Sequence, residues 1–253
     1  MAVRRILRSV SIRARRRLAD LSPAEQARAR KDREALLRRL PALGDMDAAV
    51  DRLDAVFAPY HADYCAGTGH PVHAASVELI SFLIVLARIG EARRIVDLGS
   101  GLTSFALRRL ALDIEQGGGE VLDALGGWAG PAPEITSVDD SPEWLEKTRG
   151  YLAQQGVTTE RTHVWDEFIA GDVRGRFDLV LHDMGFMDVR ARTLMQAVGL
   201  ARSGGVVVLD DMHKADFREG ALRELESAGL PTLSAKTFTR DDLTRFAYVT
   251  FPA

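Results

Sequence analysis

An apolar run, Arg94-Ile-Val-Asp-Leu98, stops at a glycine turn, Gly99-Ser-Gly101, and passes directly into Leu102-Thr-Ser-Phe105. Ile95, Val96 and Leu98 are strand formers, whereas Phe105, Leu107 and Leu110 recur at helical spacing, so the apolar period changes at the turn. A strand, glycine turn and helix in this order open an α/β layer structure, and they place a ligand where the period changes. Two glycines let the backbone approach a bound group closely and reach positive φ without a Cβ clash. Asp97 can accept hydrogen bonds from a cationic or hydroxylated group.

The rest of the chain continues the pattern. Strands are expected at 94–98, 134–139, 161–165, 177–182, 205–210, 231–237 and 245–251, alternating with helices at 76–89, 103–115, 142–155, 190–202 and 215–228. Such alternation predicts a mostly parallel seven-stranded sheet with helices on both faces, a Rossmann-like α/β fold. Phe177-Asp-Leu-Val-Leu-His182 and Gly205-Val-Val-Val-Leu-Asp210 are nearly continuous in apolar residues, as central strands buried on both sides are. The last two strands are joined by Thr239-Arg-Asp-Asp-Leu243, too short for a crossover helix, and should form an antiparallel hairpin. We therefore divide the chain into a basic helical extension and cap, 1–74, and an α/β domain, 75–253.

Two features of the turn bear on its ligand. Ser104 stands where a dinucleotide fingerprint has its third Gly or Ala, and no Gly-Lys-Ser/Thr follows to cradle a phosphate. The acid ending the second strand, in Ile135-Thr-Ser-Val-Asp-Asp140, can take two ribose hydroxyls, but lies too far downstream for a compact dinucleotide unit. Glycines and prolines between Asp113 and Pro133 read as a loop insertion. These features favour S-adenosylmethionine over NAD or ATP. Over residues 75–253 the sequence resembles the class I S-adenosylmethionine-dependent methyltransferases. The resemblance implies that Asp97, Gly99, Ser100 and Gly101 hold the methionine end of the cofactor and that Asp139 binds ribose, with Asp140 as the alternative. It places Asp166, in Thr162-His-Val-Trp-Asp-Glu-Phe168, near the adenine amino group, with Trp165 either a ring neighbour or a core residue.

The fourth strand runs into Asp183 and the fifth into Asp210-Asp211. Like charges at adjacent strand ends raise one another's pKa unless a cation or shared proton intervenes, which suggests a hard divalent metal such as Mg²⁺. The same three acids resemble the metal-dependent small-molecule O-methyltransferases of the catechol and caffeoyl-CoA type and, with Asp-Asp at the fifth strand, those like macrocin O-methyltransferase. By that resemblance Asp183, Asp210 and Asp211 are metal ligands and Asp183 also borders the cofactor. In the rival reading Asp183 acts alone as substrate anchor or base, and Asp210 and Asp211 cap the next helix. The reaction implied is methyl transfer to a hydroxyl of a small molecule, a sugar or specialised metabolite, by in-line displacement. His213 is the histidine expected to face the crevice and act with Asp183, whereas His182 lies inside an apolar strand as a core residue. Tyr60, His61, Tyr64, His70 and His73 precede the domain and could line an acceptor pocket or an edge loop. Cys65 has no zinc-ligand spacing around it.

The formal net charge of −3 conceals a division. Residues 1–40 carry 13 Lys and Arg against 4 Asp and Glu, net +9, and the remainder carries net −12. Val3, Ile6, Leu7, Val10, Ala14 and Leu18 share one helical face apart from most arginines, predicting an amphipathic basic helix. A second helix should start at Ser22-Pro-Ala-Glu25, a capping box with Pro at its first position. These helices could pack on their own domain or on a sister subunit, as in a homo-oligomer; a membrane surface, nucleic acid or transit signal are the other readings. The corresponding alternatives to a small-molecule enzyme are an RNA or protein methyltransferase docking through this arm, or a non-catalytic binding module. No stretch is long and apolar enough to span a bilayer, no secretory signal is recognisable, and a single cysteine fits a reducing compartment. The expected location is cytoplasmic.

Overall fold

The computed structural model describes residues 21–252. The amphipathic helix expected over Val3 to Leu18 lies outside the described residues. Helix α1, Pro23–Arg39, begins at the capping box: Ser22 Oγ accepts from the Glu25 backbone N–H, and the Glu25 carboxylate accepts from the Ser22 backbone N–H at 2.9 Å. A short 3₁₀ turn, Pro41–Met46, leads to α2, Asp47–Gly67, and α3, Val77–Ile89, follows from its Ser76 cap. Strand β1, Arg94–Leu98, then enters the sheet, followed by α4, Leu102–Glu115, and a short α5, Glu120–Leu125. The alternation proceeds through β2 Glu134–Asp139, α6 Pro142–Gln154, β3 Thr162–Val164, α7 Trp165–Ile169, β4 Phe177–His182 and α8 Met187–Leu200. It ends with β5 Ala201–Leu209, α9 Ala215–Ser227, β6 Thr232–Ser234, the single turn α10 Lys236–Thr239, and β7 Tyr248–Thr250.

The seven strands lie in the order β3-β2-β1-β4-β5-β7-β6. All pairs from β3 to β5 are parallel, and β7 runs antiparallel to both β5 and β6. Strand periodicity divides the core. Ile95, Leu179, Leu181 and Val208 point into one apolar layer with α2, α3, α4 and α6. Val96, Leu98, Val180, Val207 and Leu209 point into the other, with α7, α8 and α9. Continuous apolar runs in β4 and β5 are the consequence of burial on both faces.

The described part of the extension joins the first of these layers. Leu36, Leu43, Leu53, Phe57 and Tyr64 pack with Leu79, Phe82 and Phe105 in one cluster. Arg33 pairs with Asp47 at 2.7 Å, and its guanidinium lies 4.6 Å from the centroid of the Phe238 ring in α10. The segment Ala58 to Tyr64, read from sequence as cap or edge loop, is helical within α2 despite Pro59.

Several element boundaries differ from the sequence expectation. The third strand ends at Val164, and Trp165 starts a helix because its indole and Phe168 are drawn into the second apolar layer. The insertion 113–133 contains α5, whose first turn is capped at a distance: Asp113 accepts from the Val121 N–H at 2.9 Å. Strand β5 begins at Ala201, four residues early, by pairing with Phe177 before a register shift. The sixth strand is only three residues long: the strand expected to run to 237 stops at Ser234, and Lys236 to Thr239 turn helically ahead of the hairpin return.

Candidate active site

The glycine turn is built from inside. Asp97 is fully buried and accepts from Thr103 Oγ1 at 3.0 and 2.9 Å and from Ser104 Oγ at 2.5 Å, tying β1 to the first turn of α4. Burial pushes its pKa up to about 6, against the pull of those hydroxyls and of buried Arg108. Gly99 has φ +104, and a Cβ there would lie 2.4 Å from the Asp183 carbonyl oxygen. At Gly101 a Cβ would meet the Tyr64 hydroxyl at 3.1 Å, so α2 closes over the turn. Ser100, between them, donates to Asp139 from its backbone N–H at 2.8 Å and from its hydroxyl at 3.0 Å. Trp144 Nε1 donates to the Ser100 carbonyl at 2.6 Å. The turn is thereby anchored to β2 and α6.

Beyond the carboxyl ends of β1, β2, β4 and β5 lies a cavity of about 490 Å³, within the usual range for small-molecule sites. Its lining includes Gly99, Ser100, Asp139, Asp140, Ser141 and Trp144 from the exits of β1 and β2, and Asp183, Arg190, Asp210, Asp211 and Lys214 from the segments after β4 and β5. Val72, His73, Arg245, Phe186 and Met187 complete the mouth. Asp139 is buried and held by Ser100 and by the Ser141 N–H at 3.0 Å, and burial raises its pKa to about 6. Asp140, its neighbour, is exposed on the cavity wall.

The acid cluster encloses a guanidinium. Arg190, in the first turn of α8, places Nη2 2.5 Å from Asp183 Oδ1 and 2.8 Å from the Asp183 carbonyl oxygen. Its Nη1 lies 3.0 Å from Asp211 Oδ2. Lys214 Nζ reaches the same Asp211 oxygen at 2.9 Å. Burial works against the Arg190 charge, but Asp183 and Asp211 outweigh it and hold its pKa above the ordinary value. Asp211 is held below the usual carboxylate range because Arg190 and Lys214 overcome its burial. Asp210 is buried beside Asp211 and pushed up to about 6; among the described residues no ion pair reaches it. Asp211 adopts φ +58, a left-handed conformation that re-aims the chain leaving β5.

The fold is similar to that of several solved structures. The O-methyltransferase TomG of Streptomyces achromogenes, involved in tomaymycin synthesis and solved with SAM, is 20% identical over 80% of this chain and 91% of its own, with a TM-score of 0.51. The cofactor-bound protein Rv0187 of MTB is 20% identical over 78% of this chain and 88% of its own, with a TM-score of 0.52. An O-methyltransferase of Bacillus cereus in complex with SAH is 17% identical over 78% and 89%, with a TM-score of 0.52. The chain has the class I methyltransferase fold. Its sequence matches no protein-family model and no curated protein.

On this methyltransferase fold the expected residues separate into groups. Gly99, Ser100, Asp139, Asp140, Asp183, Asp210 and Asp211 border one cavity. Asp97 and Gly101 lie behind the turn and shape it rather than lining the cavity. Trp165 is buried in the second apolar layer, and Asp166 is exposed on α7; neither lines the cavity. His213 also falls outside the lining, with Nδ1 3.3 Å from Asp211 Oδ1, and burial lowers its pKa. His182 is a core histidine, its Nε2 2.9 Å from Thr193 Oγ1, with its pKa driven to about 3 by burial. Of the upstream aromatic and imidazole residues only His73 reaches the cavity lining.

Sequence reading missed Arg190, Lys214, Trp144, Arg245 and Phe186. Arg190 had one local signal, a cation in the first turn of a helix, where the macrodipole disfavours it. The donor set does not fit the expected Mg²⁺: the facing oxygens of Asp183 and Asp211 converge on the guanidinium, and a divalent cation would have to share a buried space with it. Among the described residues no group of three or more His, Cys, Asp or Glu is placed to hold a metal ion.

Proposed function

We propose that this protein transfers a methyl group from S-adenosylmethionine to a hydroxyl of a small molecule. The observation that carries this reading is the cavity itself. A glycine turn, an exposed second-strand acid and a fourth-strand acid meet there at the carboxyl ends of β1, β2 and β4. Gly99 and Ser100 present backbone, Asp140 presents a carboxylate suited to a ribose diol, Asp139 fixes the turn through Ser100, and Trp144 offers a ring face. The cofactor, when bound, supplies an electrophilic sulfonium methyl.

The remaining chemistry falls to the chain. Asp183 and Asp210 border the part of the cavity beside Arg190, where an acceptor hydroxyl can hydrogen-bond to a carboxylate and pass its proton to it. Burial raises the pKa of Asp183 well above its ordinary value against the pull of Arg190, and raises that of Asp210 likewise, so either group can retain a proton. Phe186 and Val72, 78% and 57% exposed at the mouth, are apolar surfaces against which the acceptor can lie and which exclude water once it does. Positioning supplies much of the acceleration in such a displacement.

Calorimetric titration with S-adenosylmethionine tests the reading. Micromolar binding by the wild type, weakened at least about tenfold by Asp140→Ala, is expected. It should be followed by transfer of labelled methyl to hydroxylated acceptors. Absence of binding by the wild type, with and without candidate acceptors, would overturn it.

A further inference from the structure

On the methyltransferase reading, the acid cluster at the exits of β4 and β5 needs a resident cation. Three carboxylates from two adjacent strand ends share one small volume, which requires compensation. The compensation is present as side chains. Arg190 spans Asp183 and Asp211 with its two terminal nitrogens, Lys214 adds a second cation at Asp211, and the Arg190 side chain is only 7% exposed. Its remaining contacts run to the backbone: Nη2 to the Asp183 carbonyl and Nε, at 3.4 Å, to the Gly185 carbonyl. One planar group thus joins the exit of β4 to the exit of β5, the task a bridging metal performs where carboxylates alone converge.

The position of Arg190 supports a dedicated role. It sits three residues into α8, at the positive end of the helix dipole, where a guanidinium is disfavoured unless nearby anions hold it. Two of the three carboxylates already face cations, so a metal entering the cluster would face Arg190 across shared oxygens and leave the site with excess positive charge.

We propose that Arg190 is the resident cation of this site, a positioning residue that stands in place of a divalent metal, so that methyl transfer by this chain runs without one. The consequence for the acceptor is chemical: a single hydroxyl directed at Asp183 and Asp210 suffices, because no metal is there for two neighbouring oxygens to chelate.

Mn²⁺ is the probe, read by its electron paramagnetic resonance signal in the full-length protein at neutral pH. Wild type should leave the aqueous Mn²⁺ signal unchanged at equimolar metal, and Arg190→Ala should bind Mn²⁺ at least about tenfold more tightly. The added Asp211→Asn change should reverse that gain. Arg190→Lys, which keeps the charge but loses the fork, serves if the alanine variant does not fold. It should refuse Mn²⁺ as wild type does, while lowering kcat with S-adenosylmethionine affinity unchanged. Wild-type turnover should be the same in EDTA as in Mg²⁺. Stoichiometric Mn²⁺ binding by wild type that is lost in Asp210→Asn would overturn the proposal, as would equal Mn²⁺ affinity in wild type and Arg190→Ala. Cofactor binding measured on the same samples keeps the two conclusions apart, since its absence would remove the methyltransferase reading and leave the Mn²⁺ result standing.

Discussion

Gly99 faces the carbonyl oxygen of Asp183 so closely that a Cβ on the glycine would lie 2.4 Å from it. The ends of β1 and β4 are in van der Waals contact, and the Asp183 N–H donates to the Leu98 carbonyl at 2.7 Å just below that point. Gly99→Ala therefore meets both a backbone clash and a φ of +104 that alanine tolerates poorly. We expect a loss of about 2 kcal/mol or more in urea denaturation, together with weakened cofactor binding, because the same contact shapes the cavity wall.

Asp97 makes the stability of the protein depend on pH in a stated direction. Its folded-state pKa of about 6 lies above the ordinary 3.8 because it is buried, so the native state holds a proton that the unfolded state releases between those values. Its contribution is fully present below about pH 4 and is lost as pH rises through 6, by roughly 3 kcal/mol at most. Asp97→Asn should remove this slope. Unfolding free energies of both proteins across that range should show wild type gaining on the variant toward acid pH, and parallel curves would contradict the assignment.

Tyr64 couples the extension to the turn. Its ring is 1% exposed, lies edge-on to Tyr151 at 4.8 Å between centroids, and occupies the space above Gly101. Tyr64→Ala should cost about 3–5 kcal/mol, as loss of a large buried ring does. It should also lower S-adenosylmethionine affinity in calorimetry even under conditions where the variant is fully folded.

Trp144 is a built-in reporter. Of the three tryptophans only Trp144 lines the cavity, with its indole N–H fixed on Ser100. Cofactor binding should change the intrinsic fluorescence of wild type and of Trp128→Phe, and leave that of Trp144→Phe almost unchanged.

Substitution of Phe186 tests the acceptor side of the cavity apart from the cofactor side. An aromatic ring 78% exposed contributes little to folding, and Phe186→Ala should alter stability by less than about 0.5 kcal/mol. Steady-state kinetics should show a raised KM for the acceptor with the S-adenosylmethionine constant unaltered. An equal rise in both would place the ring on the cofactor instead.

Much of the fold was legible because it rests on local rules. The change of period at Gly99, the two-sided apolar runs of β4 and β5, and the capping box at Ser22 each follow from interactions within a few residues. The places where reading by period failed are those where a distant partner decides. Trp165 leaves the strand pattern because an apolar layer accepts its ring, and β5 starts early because Phe177 offers it a pairing edge.

The candidate site divides in the same way. The chain by itself determined which strand ends carry acids, because strand period and turn glycines place Asp139, Asp183 and Asp210 at the carboxyl edge whatever the rest of the molecule does. Only the tertiary structure decided what those acids face. Lys214 rather than His213 reaches the cavity because the left-handed Asp211 re-aims the chain after β5. Arg190 meets Asp183 and Asp211 because α8 packs with its first turn over the exits of β4 and β5. Such encounters depend on the phase and tilt of a helix against the sheet, quantities set by packing of the whole core and not by the residues that meet.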